Sequence, residues 1–249
     1  MLRRIRLAGL EIDALRGTEV VARVRDCGGG GWIVTPNVDI LRQVAADDAL
    51  RTELSHADLV LADGAPLVWA AKLAGTPLPE RVAGADLIWS LSQECAKSVY
   101  LIGGNPDGGA ERAATNLRAR GARVVGAFSP SYGFDESPAE FEALRRDLVE
   151  VKPELVFVGI GFPRQERVIQ RLRGDLPGAW FMGCGAAINF VAGDQTRAGG
   201  LLQKVGLEWV HRLVNEPRRL ARRYLRHDAP VAVRLLAQAA TRRLTGGAG

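Results

Sequence analysis

Short apolar runs alternate with amphipathic stretches along most of the chain, and this alternation is the dominant pattern in the sequence. Each run spans four to six residues, which is too short for a buried helix and typical of a strand covered on both faces. The predicted strands are residues 32–35, 59–62, 99–102, 123–128, 155–158 and 179–183. Because helical patterns separate these strands, the sequence predicts an α/β core, a mostly parallel Rossmann-like sheet with helices on both faces.

Two predicted helix starts carry polar residues with more than one interpretation. Asn37 precedes apolar residues at helical spacing and is a good N-cap. It also stands at a strand end, where its amide could contact a sugar or a base. Asp63 and Gly64 separate the strand at 59–62 from a helical pattern at 65–73. Asp63 is therefore predicted either to cap that helix or to act as a site carboxylate, and the two roles are compatible.

The pattern changes after Gly206, where apolar residues recur at helical spacing with arginines between them. Residues 201–249 hold ten basic and three acidic side chains, a net charge of +7, although the whole chain carries only +5. We therefore divide the chain into an α/β core, residues 1–199, and a basic amphipathic helical appendage, residues 200–249. Such an appendage suits the surface of an anionic membrane. The simpler alternative is a helical subdomain with solvated arginines.

The composition is that of an ordinary globular chain of 249 residues, with 47% hydrophobic and 24% charged residues. No segment has 18 uninterrupted apolar residues, so no membrane-spanning helix is predicted. The basic N-terminus is not followed by the apolar region of a signal peptide. Cys27, Cys95 and Cys184 are far apart in the sequence, which favours reduced thiols in the cytosol over a disulfide framework.

Most candidate site residues follow the carboxyl ends of the predicted strands, where open α/β sheets bind their ligands. They are Thr35, Asn37, Asp63, Arg81 and Gln165. Glycine turns at Gly103 and Gly161 permit a close approach of the backbone to a phosphate. Gln165 and Glu166 both fall in the first turn of a predicted helix. Glu166 complements the helix dipole there, whereas Gln165 gains little from that position and is predicted to bind substrate.

The residue types present favour general-base chemistry without a metal. The three histidines have no ligand spacing, and no D-x-D motif is present to hold a divalent ion on a diphosphate. No G-x-S-x-G motif marks a nucleophile, and no G-x-G-x-x-G fingerprint marks a dinucleotide site. A lone carboxylate acting as base, with arginines neutralising a leaving diphosphate, fits the groups that remain. The sequence thus predicts neither a cofactor nor a metal.

Five segments together carry a resemblance to a known family. They read TPNVDIL, ADLVLADG, PLPERVAGADL, GIGFPRQE and, near the end, GLEWVHRLVNEPRRLARRYL. With these segments in order and separated by short gaps, the chain from Gly31 to Leu225 resembles the WecG/TagA/CpsF family of bacterial glycosyltransferases. It departs from the common pattern of that family at Asn189, where an acid is frequent. It departs again at Gly199 and Leu201, where a proline and an aromatic residue are frequent.

The resemblance implies an inverting glycosyltransferase that moves a sugar, commonly N-acetylmannosamine, from a UDP donor. The implied acceptor is an N-acetylglucosamine-type sugar on undecaprenyl diphosphate at the cytoplasmic face of the membrane. The resemblance assigns Asp63 to the position of the base and Arg81 to that of a family arginine. We also expect Arg212 and Arg219, at i and i+7 on one face of an appendage helix, to reach the donor diphosphate.

The sequence alone leaves more than one sugar donor and more than one binding partner possible. UDP-glucuronate or a UDP-hexose fits the same chemistry, and a homo-oligomer is compatible with the sequence. A non-catalytic nucleotide or nucleic-acid binder is the alternative from another class, but the basic tail lacks the aromatic-rich face that binds nucleic acid. We therefore expect an anionic membrane surface, and not a nucleic acid, as the partner of the tail. The expected location is peripheral, on the inner face of the cell membrane.

Overall fold

The computed structural model describes residues 3–196, 213–214 and 226–244. The strands within those ranges are β1 (Arg4–Leu7), β2 (Leu10–Asp13), β3 (Gly31–Val34), β4 (Leu59–Val60), β5 (Val99–Gly103), β6 (Val124–Phe128), β7 (Leu155–Gly159) and β8 (Trp180–Gly183). The helices there are α1 (Gly17–Asp26), α2 (Val38–Ala46), α3 (Asp48–Ser55), α4 (Ala65–Leu73), α5 (Gly84–Glu94), α6 (Gly109–Arg118), α7 (Pro138–Val151), α8 (Arg164–Leu172), α9 (Ala187–Ala192) and α10 (Ala229–Leu244). A short 3-10 helix spans Phe134–Glu136.

Strands β3 to β8 form one parallel sheet in the order β4-β3-β8-β7-β5-β6. β5 pairs along its whole length with β7, from Val99 opposite Leu155 to Gly103 opposite Gly159. All six strands coincide with predicted apolar runs, which confirms the predicted α/β architecture with its parallel sheet. The carboxyl ends of the strands consequently meet at one edge of the sheet.

Each face of the sheet packs against its own layer of helices. On β3, Trp32 contributes to one apolar cluster and Ile33 to the other, because successive strand residues point to opposite faces. One layer contains α2, α3, α4, α7, α8 and α10, and the opposite layer contains α1, α5, α6 and α9. Since both faces are covered, the strands appear in the sequence as continuous apolar runs and not as alternating ones.

A two-stranded antiparallel hairpin, β1 and β2, adjoins the edge of this sheet. Asp13, at the end of β2, is buried and links the hairpin to the neighbouring strand. Its Oδ2 accepts a hydrogen bond from the Val60 backbone N–H at 2.8 Å, and its Oδ1 accepts one from Arg4 Nε at 2.8 Å. The hairpin therefore satisfies the Val60 N–H of β4 with the Asp13 side chain, and not by pairing as a further strand of the sheet.

The last helix, α10, packs back onto the core against α4 and α2. Leu235 and Ala239 are buried there. Arg242 Nη1 donates to the Arg6 carbonyl oxygen at 3.0 Å, and Arg42 of α2 lies 3.7 Å from the Asp228 carboxylate. At least this part of the predicted appendage, 200–249, is thus joined to the core by apolar packing. Among the described helices, none combines the length and the apolar character needed to cross a membrane.

Candidate active site

The carboxyl edge of the parallel sheet brings together the loops that follow β3, β4, β5, β7 and β8. The chain leaves β7 towards β8 on one side of the sheet and leaves β5 towards β6 on the other. Neighbouring strands whose connections depart in opposite directions open a crevice at their carboxyl ends, and such crevices bind ligands in open α/β folds. Gly103 and Gly161, two of the predicted site residues, border the crevice between β5 and β7.

Asp63 and Arg81 form an ion pair at this edge. Beyond β4 the backbone continues alongside the β3 segment, since Asp63 N–H donates to the Pro36 carbonyl at 2.9 Å. The Val82 N–H then donates to the Ala62 carbonyl at 2.9 Å and returns the chain to the same edge after α4. Arg81 Nη1 lies 3.7 Å from Asp63 Oδ1. The sequence-based expectation that these two residues share one rim is therefore confirmed.

The ion pair between Asp63 and Arg81 is open to solvent on one side. The side chain of Asp63 keeps 26% of its surface exposed and that of Arg81 keeps 20%. Arg81 Nη2 also lies 3.7 Å from Asp86 Oδ2, so one guanidinium bridges two carboxylates. A partly exposed carboxylate at this edge of the sheet can accept a proton from a bound hydroxyl group.

The alternative that Asp63 is the N-cap of α4 is wrong. The N-cap residue is Gly64, with φ +130°, and α4 begins at Ala65. A backbone at positive φ is accessible to glycine without steric cost, so the chain turns into the helix one residue later than the sequence pattern suggests. Asp63 consequently lies before the cap, on the rim of the site.

Thr35 and Asn37 follow β3 and have different surroundings. Asn37 is the N-cap of α2, where its Oδ1 accepts a hydrogen bond from the Ile40 N–H at 3.1 Å, so the capping role is confirmed. Thr35 is buried against the start of α5. A Cβ at Gly84 would come within 3.0 Å of Thr35 Oγ1, which explains why a glycine begins that helix. The sequence pattern does not single out α5, since a glycine at its start is typical of a loop.

The two glycines of the β5–β7 crevice serve different purposes. Gly103 has φ +128°, and a Cβ there would collide with the backbone of Gly159 on the neighbouring strand. Gly104 N–H donates to the Gly159 carbonyl at 3.3 Å, so this turn binds the adjacent strand. Gly161 has φ +89° with open space around its Cα. Of the two predicted site glycines, Gly161 therefore borders space that a ligand can enter, whereas Gly103 is packed.

Gln165 is buried and uses both ends of its amide within the protein. Its Oε1 accepts a hydrogen bond from the Gly185 N–H at 3.0 Å, and its Nε2 donates to Glu166 Oε1 at 2.9 Å. Gly185 lies just beyond the carboxyl end of β8, so Gln165 connects the first turn of α8 with the turn after β8. The sequence predicted substrate binding for Gln165, and this stays a prediction.

Glu166 is the functional candidate that sequence reasoning underestimated. It is fully buried, and its Oε2 accepts a hydrogen bond from the indole Nε1–H of Trp32 at 2.9 Å. Burial, which penalises the charged form, raises the pKa of Glu166 to about 7. The sequence suggested only that this acid complements the helix dipole, because no local pattern reveals a partner 134 residues away.

A model of the glycosyl transferase WecG/TagA/CpsF family matches residues 5–245. The chain belongs to this family. It is 30% identical over 200 residues to the N-acetylglucosaminyldiphosphoundecaprenol N-acetyl-beta-D-mannosaminyltransferase of Bacillus spizizenii. The aligned residues cover 79% of this chain and 76% of the relative. It is 29% identical over 198 residues to the protein of the same name from Staphylococcus aureus, with 77% of this chain and 74% of the relative covered. The family suggested by the sequence is therefore confirmed.

Two further predictions for this WecG/TagA/CpsF family member concern residues and groups elsewhere. Arg212 and Arg219 lie outside the described residues, so their expected contact with a donor diphosphate stays a prediction. Within the described ranges, no three His, Cys, Asp or Glu side chains are grouped as ligands for a metal ion. The expectation of metal-independent chemistry stays a prediction.

Proposed function

We propose that the protein transfers N-acetylmannosamine from UDP-N-acetylmannosamine to an N-acetylglucosamine-type sugar carried by undecaprenyl diphosphate. The names of the two curated relatives support both this sugar and this acceptor. Within the chain, the observation that carries the proposal is the ion pair of Asp63 and Arg81 at the carboxyl edge of the sheet. A partly exposed carboxylate beside an arginine suits the transfer of a sugar away from a diphosphate.

In this proposal Asp63 is the general base. Its carboxylate takes the proton of the acceptor hydroxyl group as that oxygen forms a bond with the anomeric carbon of the donor. The bond between the anomeric carbon and the diphosphate oxygen breaks, and UDP leaves with the electron pair. Because the hydroxyl group attacks from the face opposite the leaving group, the anomeric centre is inverted. A base is required because a sugar hydroxyl is too weak an acid to attack unaided at neutral pH.

Arginines take the part that a divalent ion plays in other nucleotide-sugar transferases. Arg81 carries its charge at the rim beside the base, where it favours the negative charge that develops on the leaving diphosphate. Arg212 and Arg219 of the appendage are proposed to join it at the diphosphate. The absence of a D-x-D motif from the sequence supports a reaction that needs no metal.

The proposed location is the inner face of the cell membrane, where the lipid-linked acceptor is found. The α10 helix leaves Val233, Arg234, Arg242 and Arg243 exposed while Leu235 and Ala239 face the core. Basic side chains near an anionic lipid surface favour binding by about 1 kcal/mol each. The net charge of +7 over residues 201–249 supports a membrane-facing role for the whole appendage.

A donor screen tests the proposed reaction. UDP-N-acetylmannosamine, UDP-glucuronate and UDP-glucose are each supplied with an N-acetylglucosamine diphosphate lipid of short chain length, and UDP release is measured. We expect turnover with the first donor and a product of inverted anomeric configuration, assigned by NMR. Turnover confined to another UDP-sugar would replace the proposed donor, and a retained configuration would overturn the single-base mechanism.

A second experiment separates catalysis by the appendage from simple tethering. On a water-soluble acceptor without membranes, Arg212→Ala and Arg219→Ala should each lower turnover by roughly ten-fold or more. Each variant removes a positive side chain that is proposed to neutralise the leaving diphosphate. Arg146→Ala, which removes an exposed arginine of α7, is the matched control and should leave turnover unchanged. If both appendage variants remain fully active, the appendage contributes only a tether.

A further inference from the structure

The structure contains a buried hydrogen-bonded chain behind the carboxyl edge of the sheet. It runs from the Trp32 indole on β3 through Glu166 and Gln165 on α8 to the Gly185 N–H after β8. The three bonds are 2.9, 2.9 and 3.0 Å long, and Gln165 and Glu166 are 3% and 0% exposed. We propose that Glu166 is a positioning residue, which fixes the amide orientation of Gln165 and thereby the turn Gly183–Gly185 at the substrate edge.

The packing around the pair shows that the sheet makes room for it. A Cβ at Gly183, the last residue of β8, would collide with Glu166 Oε1 and would lie 2.5 Å from Gln165 Nε2. Glycine at this position therefore allows the carboxylate and the amide to reach the end of the strand. A buried acid without a role in positioning would not need such an accommodation, since an apolar side chain fills the same space without a desolvation cost.

The donors and acceptors of the chain define one arrangement. Trp32 Nε1 can only donate, and Glu166 Oε1 faces the Nε2 donor of Gln165, so the arrangement uses a carboxylate that accepts two hydrogen bonds. A protonated Glu166 has a hydroxyl group of its own to donate. Gln165 can accept it only by turning its Oε1 away from Gly185, and its Nε2 would then face the Gly185 N–H. The charge on Glu166 thus decides which way the amide of Gln165 points.

Several other groups act on Glu166 and its partners. Those that carry charge or titrate are Glu53, Asp58, Arg167, Arg173 and Cys184. Glu53 on α3 raises the pKa of Glu166 by like charge, although less than burial does. Arg173 lies over the Trp32 ring and pairs with Asp58, which accepts the Trp32 backbone N–H at 2.8 Å. None of these groups makes a hydrogen bond to the Glu166 carboxylate among the described residues, so Trp32 and Gln165 set its geometry.

The role proposed for Glu166 rests on the proposed function, because it assumes that Gln165 and the Gly183–Gly185 turn serve substrate. Glu166→Gln tests it, since a glutamine there presents one donor and one acceptor, as a protonated acid does. At pH 8 we expect kcat/KM of Glu166→Gln to be roughly ten-fold lower than that of the wild type. The kcat/KM of the wild type should decline below about pH 7, and that of the variant should not. Glu53→Gln is the matched control, and it should keep activity and the pH-dependent decline, with the midpoint moved to lower pH.

A double variant separates positioning from general structural support. If Glu166 acts through Gln165, then Gln165→Ala combined with Glu166→Gln should lose no more activity than Gln165→Ala alone. Additive losses would overturn the proposal, because they would mean that Glu166 acts independently of that amide. Gln165→Glu would place two carboxylates together and is expected to be worse than Gln165→Ala.

A measurement without turnover distinguishes failure of this inference from failure of the proposed function. The 15N-resolved indole N–H resonance of Trp32, assigned with Trp32→Phe, should titrate with a midpoint near pH 7 and should stop titrating in Glu166→Gln. The affinity of the wild type for UDP, measured by calorimetry, should fall as the pH is lowered, with the same midpoint. A constant Trp32 resonance between pH 5 and 9 would overturn the inference. So would a titrating resonance with unchanged UDP affinity, since Glu166 would then be structural only.

Discussion

Two acids at the same edge of the sheet have opposite surroundings. Asp63, after β4, is partly exposed, and its Oδ1 lies 3.7 Å from Arg81 Nη1. Glu166, at the start of α8, is fully buried and accepts two hydrogen bonds of 2.9 Å. A partly exposed carboxylate is accessible to a bound ligand, whereas a fully buried one acts on a ligand through the neighbours that it orients. If both proposals hold, proton transfer belongs to Asp63 and positioning to Glu166.

The largest expected effect concerns the open acid. Asp63→Asn keeps the shape of the side chain but removes its basicity, so turnover should fall by roughly 10²–10⁴ while the fold persists. Turnover and circular dichroism are measured together. Asp86→Asn, which removes the other carboxylate beside Arg81, is the matched control and should cost only a few-fold. Near-normal activity of Asp63→Asn would mean that the open and the enclosed acid do not differ in the way proposed.

The enclosed acid should reveal itself in the pH dependence of the free energy of unfolding. Its pKa is raised from 4.5 to about 7 in the folded protein, so folding favours the protonated form. The stabilising contribution is present below pH 4.5 and is lost as the pH rises through about 7. As the pH rises from 4.5 to 8, the free energy of unfolding of Glu166→Gln should therefore increase relative to that of the wild type by up to about 3 kcal/mol, at 1.36 kcal/mol per pKa unit.

Urea denaturation of both proteins at several pH values provides this measurement, and the contributions of titrating groups that do not interact with Glu166 cancel in the difference. A constant difference would show that Glu166 carries the same charge in the folded and unfolded states. Gain of stability together with loss of activity in the same variant at pH 8 would be the outcome that a purely structural residue does not produce.

A smaller effect should follow from filling the space that admits the enclosed pair. Gly183→Ala adds a Cβ that would collide with Glu166 and crowd Gln165, so we expect a loss of about 1–3 kcal/mol in the free energy of unfolding. Gly174→Ala is the control, because nothing lies within 4 Å of a Cβ at that position. Equal stabilities for the two variants would show that the end of β8 is not tightly packed around the pair.

The smallest expected effect is that of metal removal. If arginines neutralise the leaving diphosphate at the open side of the rim, activity in excess EDTA should equal activity with magnesium. Initial rates of UDP release in the two conditions check this expectation. A loss that magnesium or manganese restores would assign the diphosphate to a metal ion, and Arg81 would then serve mainly to hold Asp63.

Much of the fold could be predicted from apolar runs and helix starts, because these are local. The parallel sheet, the Asn37 cap and the 65–73 helix follow from patterns of a few residues. The N-cap alternative for Asp63 was wrong, since the sequence does not show that Gly64 adopts φ +130° and caps α4 itself. The sequence pattern does not single out α5, because its first residue, Gly84, resembles a turn residue. Gly84 is a glycine because the Thr35 side chain lies 3.0 Å from where a Cβ would be, and not because the chain turns there.

The sequence by itself therefore determined the class of fold, the family, and the placement of Asp63 soon after a strand and of Gln165 in the first turn of a helix. Apolar runs and short motifs carry that information. Only the tertiary structure decided which acid is open and which is enclosed. Glu166 meets Trp32 across 134 residues of chain, and Arg242 meets Arg6 across 236, because packing of the layers brings them together. Burial and hydrogen-bond partners depend on these distant contacts, and they set the charge and freedom of each carboxylate.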